Sequence, residues 1–282
     1  MLESFGWWIF ALVGFAAGSV PFGLIIGRAK GIDIRAHGSG NIGATNVARV
    51  LGWRLGLLAF ALDVGKGFVP VSVAGVAMGT FGRAVVPTDD ALAWLGVMAT
   101  PVLGHCFSPF LRFKGGKGVA TGLGALVAVA PAMSLAGFVG LCVFVLVLRL
   151  TRYVSVSSIV AAISVPMSVA TYYSLAWQMN ALTVPMDMPT GGGQMRTVFV
   201  AVHPLSAGWP FIAAGVALLV LVVFTHRANI GRLLKGTENR FSLSGKTAPT
   251  PTPTHTPTPT PTPTAGPALA PGPANDPGTT SS

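Results

Sequence analysis

Residues 208–225 read Gly-Trp-Pro-Phe-Ile-Ala-Ala-Gly-Val-Ala-Leu-Leu-Val-Leu-Val-Val-Phe-Thr without a single charge, and residues 226–238 continue as His-Arg-Ala-Asn-Ile-Gly-Arg-Leu-Leu-Lys-Gly-Thr-Glu. A helix of about 20 apolar residues crosses the hydrocarbon of a bilayer. The first stretch therefore predicts a membrane helix, and the second predicts its cationic exit at one face. Working back towards the N-terminus, the same pattern recurs at 7–26, 55–78, 92–103, 119–130, 133–148 and 154–173. Backbone polar groups in lipid must satisfy one another within a segment, which leaves helices as the natural spanning structure here. The expected fold is all-α, a polytopic membrane helical bundle of about seven transmembrane helices. The third and fourth of these are short, and they flank a glycine- and lysine-rich loop.

Composition agrees. The chain has 282 residues, 51% hydrophobic and only 9% charged, against roughly a quarter charged in a soluble domain. The net charge of +10 raises the question of nucleic acid, but the basic residues sit in short loops between apolar spans. With the N-terminus outside, 15 of the 18 Lys and Arg fall in internal segments; Arg83 and Arg196 fall outside, and Lys66 lies within the second span. That asymmetry places the C-terminus in the cytoplasm, and no nucleic acid partner is expected. Glu3 is the lone charge before the first span, which suits an anchor better than a cleaved signal. Cys106 and Cys142 have neither metal-ligand nor redox spacing. From about residue 250 to 264, Thr and Pro alternate, which excludes helix and sheet. The expected organisation is a membrane-embedded domain at 1–246 and a disordered cytoplasmic tail at 247–282.

Three polar clusters fall on the same expected face. The central one, at 104–121, contains Lys114, Gly115, Gly116, Lys117 and Gly118 just before an apolar helix. Bare backbone N–H groups, lysines and a helix N-terminus together make an anion site. The first cluster, at 38–49, offers Ser39, Asn41, Thr45, Asn46 and Arg49 among glycines, a set suited to oxygen-rich ligands. The last, at 226–238, holds His226, Asn229, Arg232, Lys235 and Glu238. Each cluster alone also reads as an ordinary polar turn with positive-inside cations. Asp63 and Lys66, three apart in an apolar span, share a helix face; they either neutralise one another or line a site.

Several chemistries are excluded. A His-x-x-x-x-Asp acyltransferase signature is absent, because Ile42, Phe110 and Gly231 stand five residues after His37, His105 and His226. At Gly65-Lys66 and Gly116-Lys117 a phosphate-binding P-loop would need Ser or Thr next, but Gly67 and Gly118 stand there. The eight acidic residues are scattered, which argues against a carboxylate-held metal. A transporter or channel for small phosphorylated solutes remains the alternative from another class.

The three clusters resemble the motifs of the bacterial acyl-phosphate:glycerol-3-phosphate acyltransferase family, the PlsY type. Ser19-Val20-Pro21-Phe22-Gly23 and Asp63-x-x-Lys66-Gly67 add to the likeness, which spans about 7–240. The resemblance implies transfer of a fatty acyl group from acyl phosphate to the sn-1 hydroxyl of glycerol 3-phosphate, giving lysophosphatidic acid and phosphate. It implies Ser39 and Arg49 as essential residues, glycines of the second motif (Gly115, Gly116, Gly118, beside Lys117) as the glycerol 3-phosphate site, His226 and Asn229 at the reaction centre, and Glu238 in its integrity. Lys117, Arg49, and Arg232 or Lys235 are the candidate phosphate ligands, with Asn41, Thr45 and Asn46 beside them. Asp63, Lys66 and Lys114 are further candidates to line the site. No cofactor or metal is implied. The expected location is the bacterial inner membrane with the site at its cytoplasmic face, where a peripheral acyl-phosphate-producing enzyme is a further expected partner. Acyl phosphate is already an activated mixed anhydride, so an acyl-enzyme nucleophile is not required; the base is either His226 or the donor's own phosphate.

Overall fold

A computed structural model of the protein describes residues 2–189 and 194–241; the tail expected at 247–282 lies outside the described residues. The helices are α1 (Leu2–Ser19), α2 (Phe22–Ala29), α3 (Ala44–Leu51), α4 (Trp53–Ala77), α5 (Thr88–Cys106), α6 (Val119–Ala128), α7 (Ser134–Thr151), α8 (Val154–Gln178), α9 (Pro204–Thr225) and α10 (Arg227–Leu234), with a hairpin of β1 (Thr183–Pro189) and β2 (Met195–Ala201) before α9. Among the described residues, six helical stretches are long and apolar enough to cross a membrane. Helix α6, with 10 residues, is about 15 Å long and remains short as expected. Helix α5 does not: its 19 residues run past the apolar stretch at both ends. Asp89 and Asp90 occupy its first turn, where carboxylates favour the positive end of the helix dipole. His105 and Cys106, in its last turn, are buried against protein.

The break between α1 and α2 at Val20–Pro21 explains a motif the sequence singled out. Proline removes a donor and interrupts the helical ladder, which leaves carbonyls to be satisfied inside the bundle. Ser108 Oγ donates to the Ser19 carbonyl at 2.7 Å, and Lys66 Nζ donates to the Val20 carbonyl at 2.8 Å. Lys66 also pairs with Asp63 Oδ1 at 2.8 Å, with both side chains about 3% exposed. Lys66 is thus a buried strut for the break.

Close helix contacts use small residues, as membrane packing favours. Gly14 and Gly18 of α1 lie against Thr100 and Pro101 of α5, while Gly67 of α4 and Gly124 of α6 face each other's helix backbone. The core gathers Trp94, Met98, Leu126, Met133, Val169, Tyr173 and Phe211, and Trp94 Nε1 donates to the Val71 carbonyl at 3.1 Å. Gly82, in the α4–α5 turn, donates its N–H to the Ala130 carbonyl at 2.9 Å, so the end of α6 reaches the same end of the bundle as that turn. Gly6 packs on Met78 at this end too. Phe241 N–H bonds to the Arg152 carbonyl at 2.7 Å at the opposite end, which carries the three polar clusters. The described chain therefore makes seven passes between the two ends.

Candidate active site

The first cluster is half loop and half helix. Gly23 of α2 lets the Ile42 carbonyl lie directly on the helix, where any Cβ would collide. Asn46 is buried: its amide donates to the Ile34 carbonyl at 2.9 Å and the His37 carbonyl at 3.1 Å, while its Oδ1 accepts the Ser39 N–H at 2.8 Å. The amide is spent on shaping the loop that presents Ser39. Asn41 Oδ1 accepts the Gly43 N–H at 2.9 Å at the entry to α3. Val47 fixes that amphipathic helix against Leu24, Ile34 and Ile42, leaving Thr45 and Arg49 on the cavity wall.

The glycine-lysine loop differs from the expected anion cradle. Gly115 and Gly116 N–H groups donate to the Cys106 and His105 carbonyls, each at 3.0 Å. Those donors are occupied, so the two glycines do not offer them to a ligand. Their bare backbone instead permits close packing, since a Cβ at Gly116 would strike the His105 ring. Gly118 adopts φ +77° as the N-cap of α6, a left-handed conformation that favours glycine. Lys117 and Gly118 face the cavity, whereas Gly115, Gly116, Lys66 and Lys114 are not on its wall. Lys114 is exposed outside it. Burial pushes the Lys117 ammonium down to about 8; the Glu238 carboxylate opposes that shift, and Arg232 and Arg49 add to it.

The third cluster is a network. His226 closes α9 in a buried position, with Nδ1 2.8 Å from the Val222 carbonyl. A carbonyl only accepts, so Nδ1 carries the proton and Nε2 keeps its lone pair. Burial, then the Lys117 charge, lower His226 to about 4, against smaller opposing contributions from the Val222 bond and Glu238. Glu238 collects three donors: Asn229 Nδ2 at 2.5 Å and Ser155 Oγ at 3.0 Å on Oε1, and Arg232 Nε at 2.8 Å on Oε2. Burial alone would raise its pKa, but the bonds from Asn229, Arg232 and Ser155 hold it below the usual value.

These elements enclose a cavity of about 390 Å³ whose wall brings together Ser39, Asn41, Thr45, Asn46, Arg49, Asp63, Lys117, Gly118, His226, Asn229, Arg232 and Glu238. Its floor is one face of α4, with Trp53, Gly56, Leu57, Phe60 and Asp63, so it runs about 15 Å along that helix. His105 joins the wall, with Nδ1 3.7 Å from Asp63 Oδ1, beyond hydrogen-bond reach. Ser155 and Ser158 also line it, and sequence reasoning passed over them. The signal was the grouping of Ser155, Ser157 and Ser158 at the start of an apolar span. A second, apolar cavity of about 80 Å³ shares Phe60, Gly118, Val119, Phe144 and Ser158 with the first and continues among Leu126, Gly137, Gly140, Val165 and Leu218. It is built largely from α6 and α7 with α8 and α9. Among the described residues, no His, Cys, Asp and Glu cluster is placed to hold a metal ion.

The arrangement suits an anionic amphiphile. Arg49, Lys117 and Arg232 supply positive charge around one chamber, His226 supplies an uncharged acceptor, and an apolar recess begins where the polar wall stops.

Comparison with known proteins agrees with this chemistry. The family profile described as glycerol-3-phosphate acyltransferase matches residues 8–236. The glycerol-3-phosphate acyltransferase of Chlorobaculum parvum is 39% identical over 242 residues, covering 83% of this chain and 96% of that protein. The relative from Desulforudis audaxviator is 42% identical over 233 residues, covering 82% of this chain and 93% of that protein. The crystal structure of PlsY (YgiH), an integral membrane glycerol 3-phosphate acyltransferase, in its glycerol 3-phosphate form superposes with a TM-score of 0.63 at 31% identity, over 84% of this chain and 96% of that one.

Proposed function

The chain belongs to the glycerol-3-phosphate acyltransferase family, and from that premise we propose that its donor is a fatty acyl phosphate and its products are lysophosphatidic acid and inorganic phosphate. The enzyme is a multi-pass membrane glycerol-3-phosphate acyltransferase of the PlsY type. The observation that carries the choice of donor is the meeting of the two cavities: a compact cationic chamber set directly against an apolar recess. A phosphate headgroup with an acyl chain matches both parts. A coenzyme A thioester would need further polar surface for its nucleotide, and the polar wall here is confined to three short loops and the start of α8.

In this reading Arg49, Lys117 and Arg232 hold the two phosphates, with Ser39, Asn41, Thr45 and Gly118 completing the polar wall. Asn46 positions the Ser39 loop, and Glu238 holds Asn229 and Arg232 in place. His226 Nε2 accepts the hydrogen bond of the sn-1 hydroxyl and orients it. With a pKa near 4, the imidazole is a weak base, so it is poorly matched to taking the proton outright. The hydroxyl oxygen attacks the acyl carbonyl, the bond from that carbon to the phosphate oxygen breaks, and the departing phosphate takes the hydroxyl proton. The cations offset the negative charge that gathers on the carbonyl and leaving oxygens. Lys66 and Asp63 support the walls, with Asp63 reaching the cavity.

The site would lie at the cytoplasmic face of the bacterial inner membrane, because the cluster-bearing end also carries most of the cations, which follows the positive-inside rule. A peripheral enzyme that makes acyl phosphate would find its customer there. Purified protein given glycerol 3-phosphate and acyl phosphate should release inorganic phosphate in step with lysophosphatidic acid, without added metal or cofactor. Robust turnover with acyl-CoA, and none with acyl phosphate, would overturn the donor.

A further inference from the structure

The hairpin before α9 pairs Thr183 with Ala201 through to Pro189 with Met195. Side chains alternate along each strand, and directly paired residues share a face. One face therefore carries Val184, Met186 and Met188 with Val200, Val198 and Arg196, five apolar residues and a cation near the tip. The opposite face pairs Thr183 with Ala201, Pro185 with Phe199, Asp187 with Thr197 and Pro189 with Met195; it carries the hairpin's carboxylate, Asp187, which accepts a 2.6 Å hydrogen bond from Thr197, together with the exposed Phe199 and Met195. Met186 and Met188 are about half exposed. A two-stranded hairpin is marginal in water by itself, so a face of this kind calls for a covering surface.

The root of the hairpin identifies the cover. Leu182 is buried in the core and its carbonyl accepts the Val202 N–H at 2.8 Å, which pins both strands to the ends of α8 and α9. Those helices, with Met179 as the cap of α8, expose Leu175, Trp177, Met179, Leu205 and Trp209 near the same end, the aromatic and aliphatic belt expected where a spanning helix meets lipid headgroups. The apolar strand face is continuous in sequence with that belt. We propose that the hairpin lies on the phospholipid interface of the leaflet where α8 and α9 end. Met186, Met188, Val198 and Val200 enter the upper acyl-chain region, and Arg196 reaches the lipid phosphates along its apolar stem. Asp187 and Thr197 stay on the watery side.

The test uses full-length protein in nanodiscs of phosphatidylcholine and phosphatidylglycerol. Cys142, the exposed thiol, is replaced by Ala, and a polarity-sensitive fluorophore is attached after either Met186→Cys or Thr197→Cys. A shallow spin-labelled lipid should quench the label at 186 about threefold or more over that at 197, and iodide should show the reverse order, if apolar burial in the interface drives the placement. Equal quenching at both positions, or stronger iodide quenching at 186, would overturn the proposal. So would disulfide cross-linking between Met186→Cys copies without lipid quenching, because the cover would then be a second copy. Unlabelled protein provides an independent readout. Trypsin should cut after Arg196 about tenfold more slowly in nanodiscs than in detergent, and the double variant Met186→Asp/Met188→Asp should lose that protection while keeping its turnover in detergent. Equal cleavage of the wild type in both media also refutes it.

Discussion

Lys117 stands where three charges act on it: Glu238 attracts, while Arg49 and Arg232 repel. In the proposed site its charge-assisted contact to a phosphate would be worth roughly 1.5–3 kcal/mol, so Lys117→Ala should lower kcat/KM by about ten- to a hundredfold. Wild-type kinetics in that variant would remove Lys117 from the site. The pH dependence follows from the same residue. Only the protonated ammonium binds phosphate well, and its pKa sits near 8 in the free protein, so kcat/KM should fall as pH rises through about 8. Lys117→Arg keeps its charge far above that range and should carry the alkaline limb upward. His226, held near 4, contributes no limb between pH 5 and 8. Gly115 and Gly116 show what residue type alone conceals: two glycines beside lysines signal an anion nest, but here their N–H groups already serve the His105 and Cys106 carbonyls. Only the fold reveals which donors are already taken.

Glu238 joins separate elements, fastening Asn229 and Arg232 of α10 to Ser155 of α8. Glu238→Ala removes all three acceptor contacts at once and leaves three donors to find other partners. Activity should drop about ten- to a hundredfold, and amide exchange over 227–238 should quicken while exchange in α4 and α5 stays slow. Unchanged exchange in α10 would show that the network does not fasten it. The carboxylate holds this segment together with two further bonds to the start of α8 and its approach, from the Phe241 N–H to the Arg152 carbonyl and from Arg240 Nε to the Tyr153 hydroxyl. At this scale, much could be read in advance. Long, predominantly apolar blocks identify α4, α7, α8 and α9 because lipid demands them. The extent of α5 could not be read, since its polar last turn is buried by protein contacts. The hairpin was also missed, because Pro185, Asp187 and Pro189 disguise the period-two alternation of β1. Ser155 looked like any serine of an apolar helix until Glu238 arrived from 83 residues away.

Among the described residues, seven passes put Gly6 and Phe241 at opposite ends of the bundle. Together with the asymmetry of Lys and Arg, this predicts that a reporter fused after Lys246 is active inside the cell; activity of a periplasm-only reporter at that point would reverse the orientation. The bundle also sets the depth of the chemistry. The cavity descends from Trp53, which sits in the polar cluster end beside Arg54, down to Asp63. The donor proposed above, an acyl phosphate, is a reactive anhydride, and water competes with glycerol 3-phosphate for its acyl carbon. A reacting carbon drawn below the rim, with its tail in an oily recess and Phe60 and Phe144 at the junction, meets few stray water molecules. With the proposed donor, that descent would act as a guard against waste: it would bias the activated chain towards becoming lipid and away from being lost as free fatty acid.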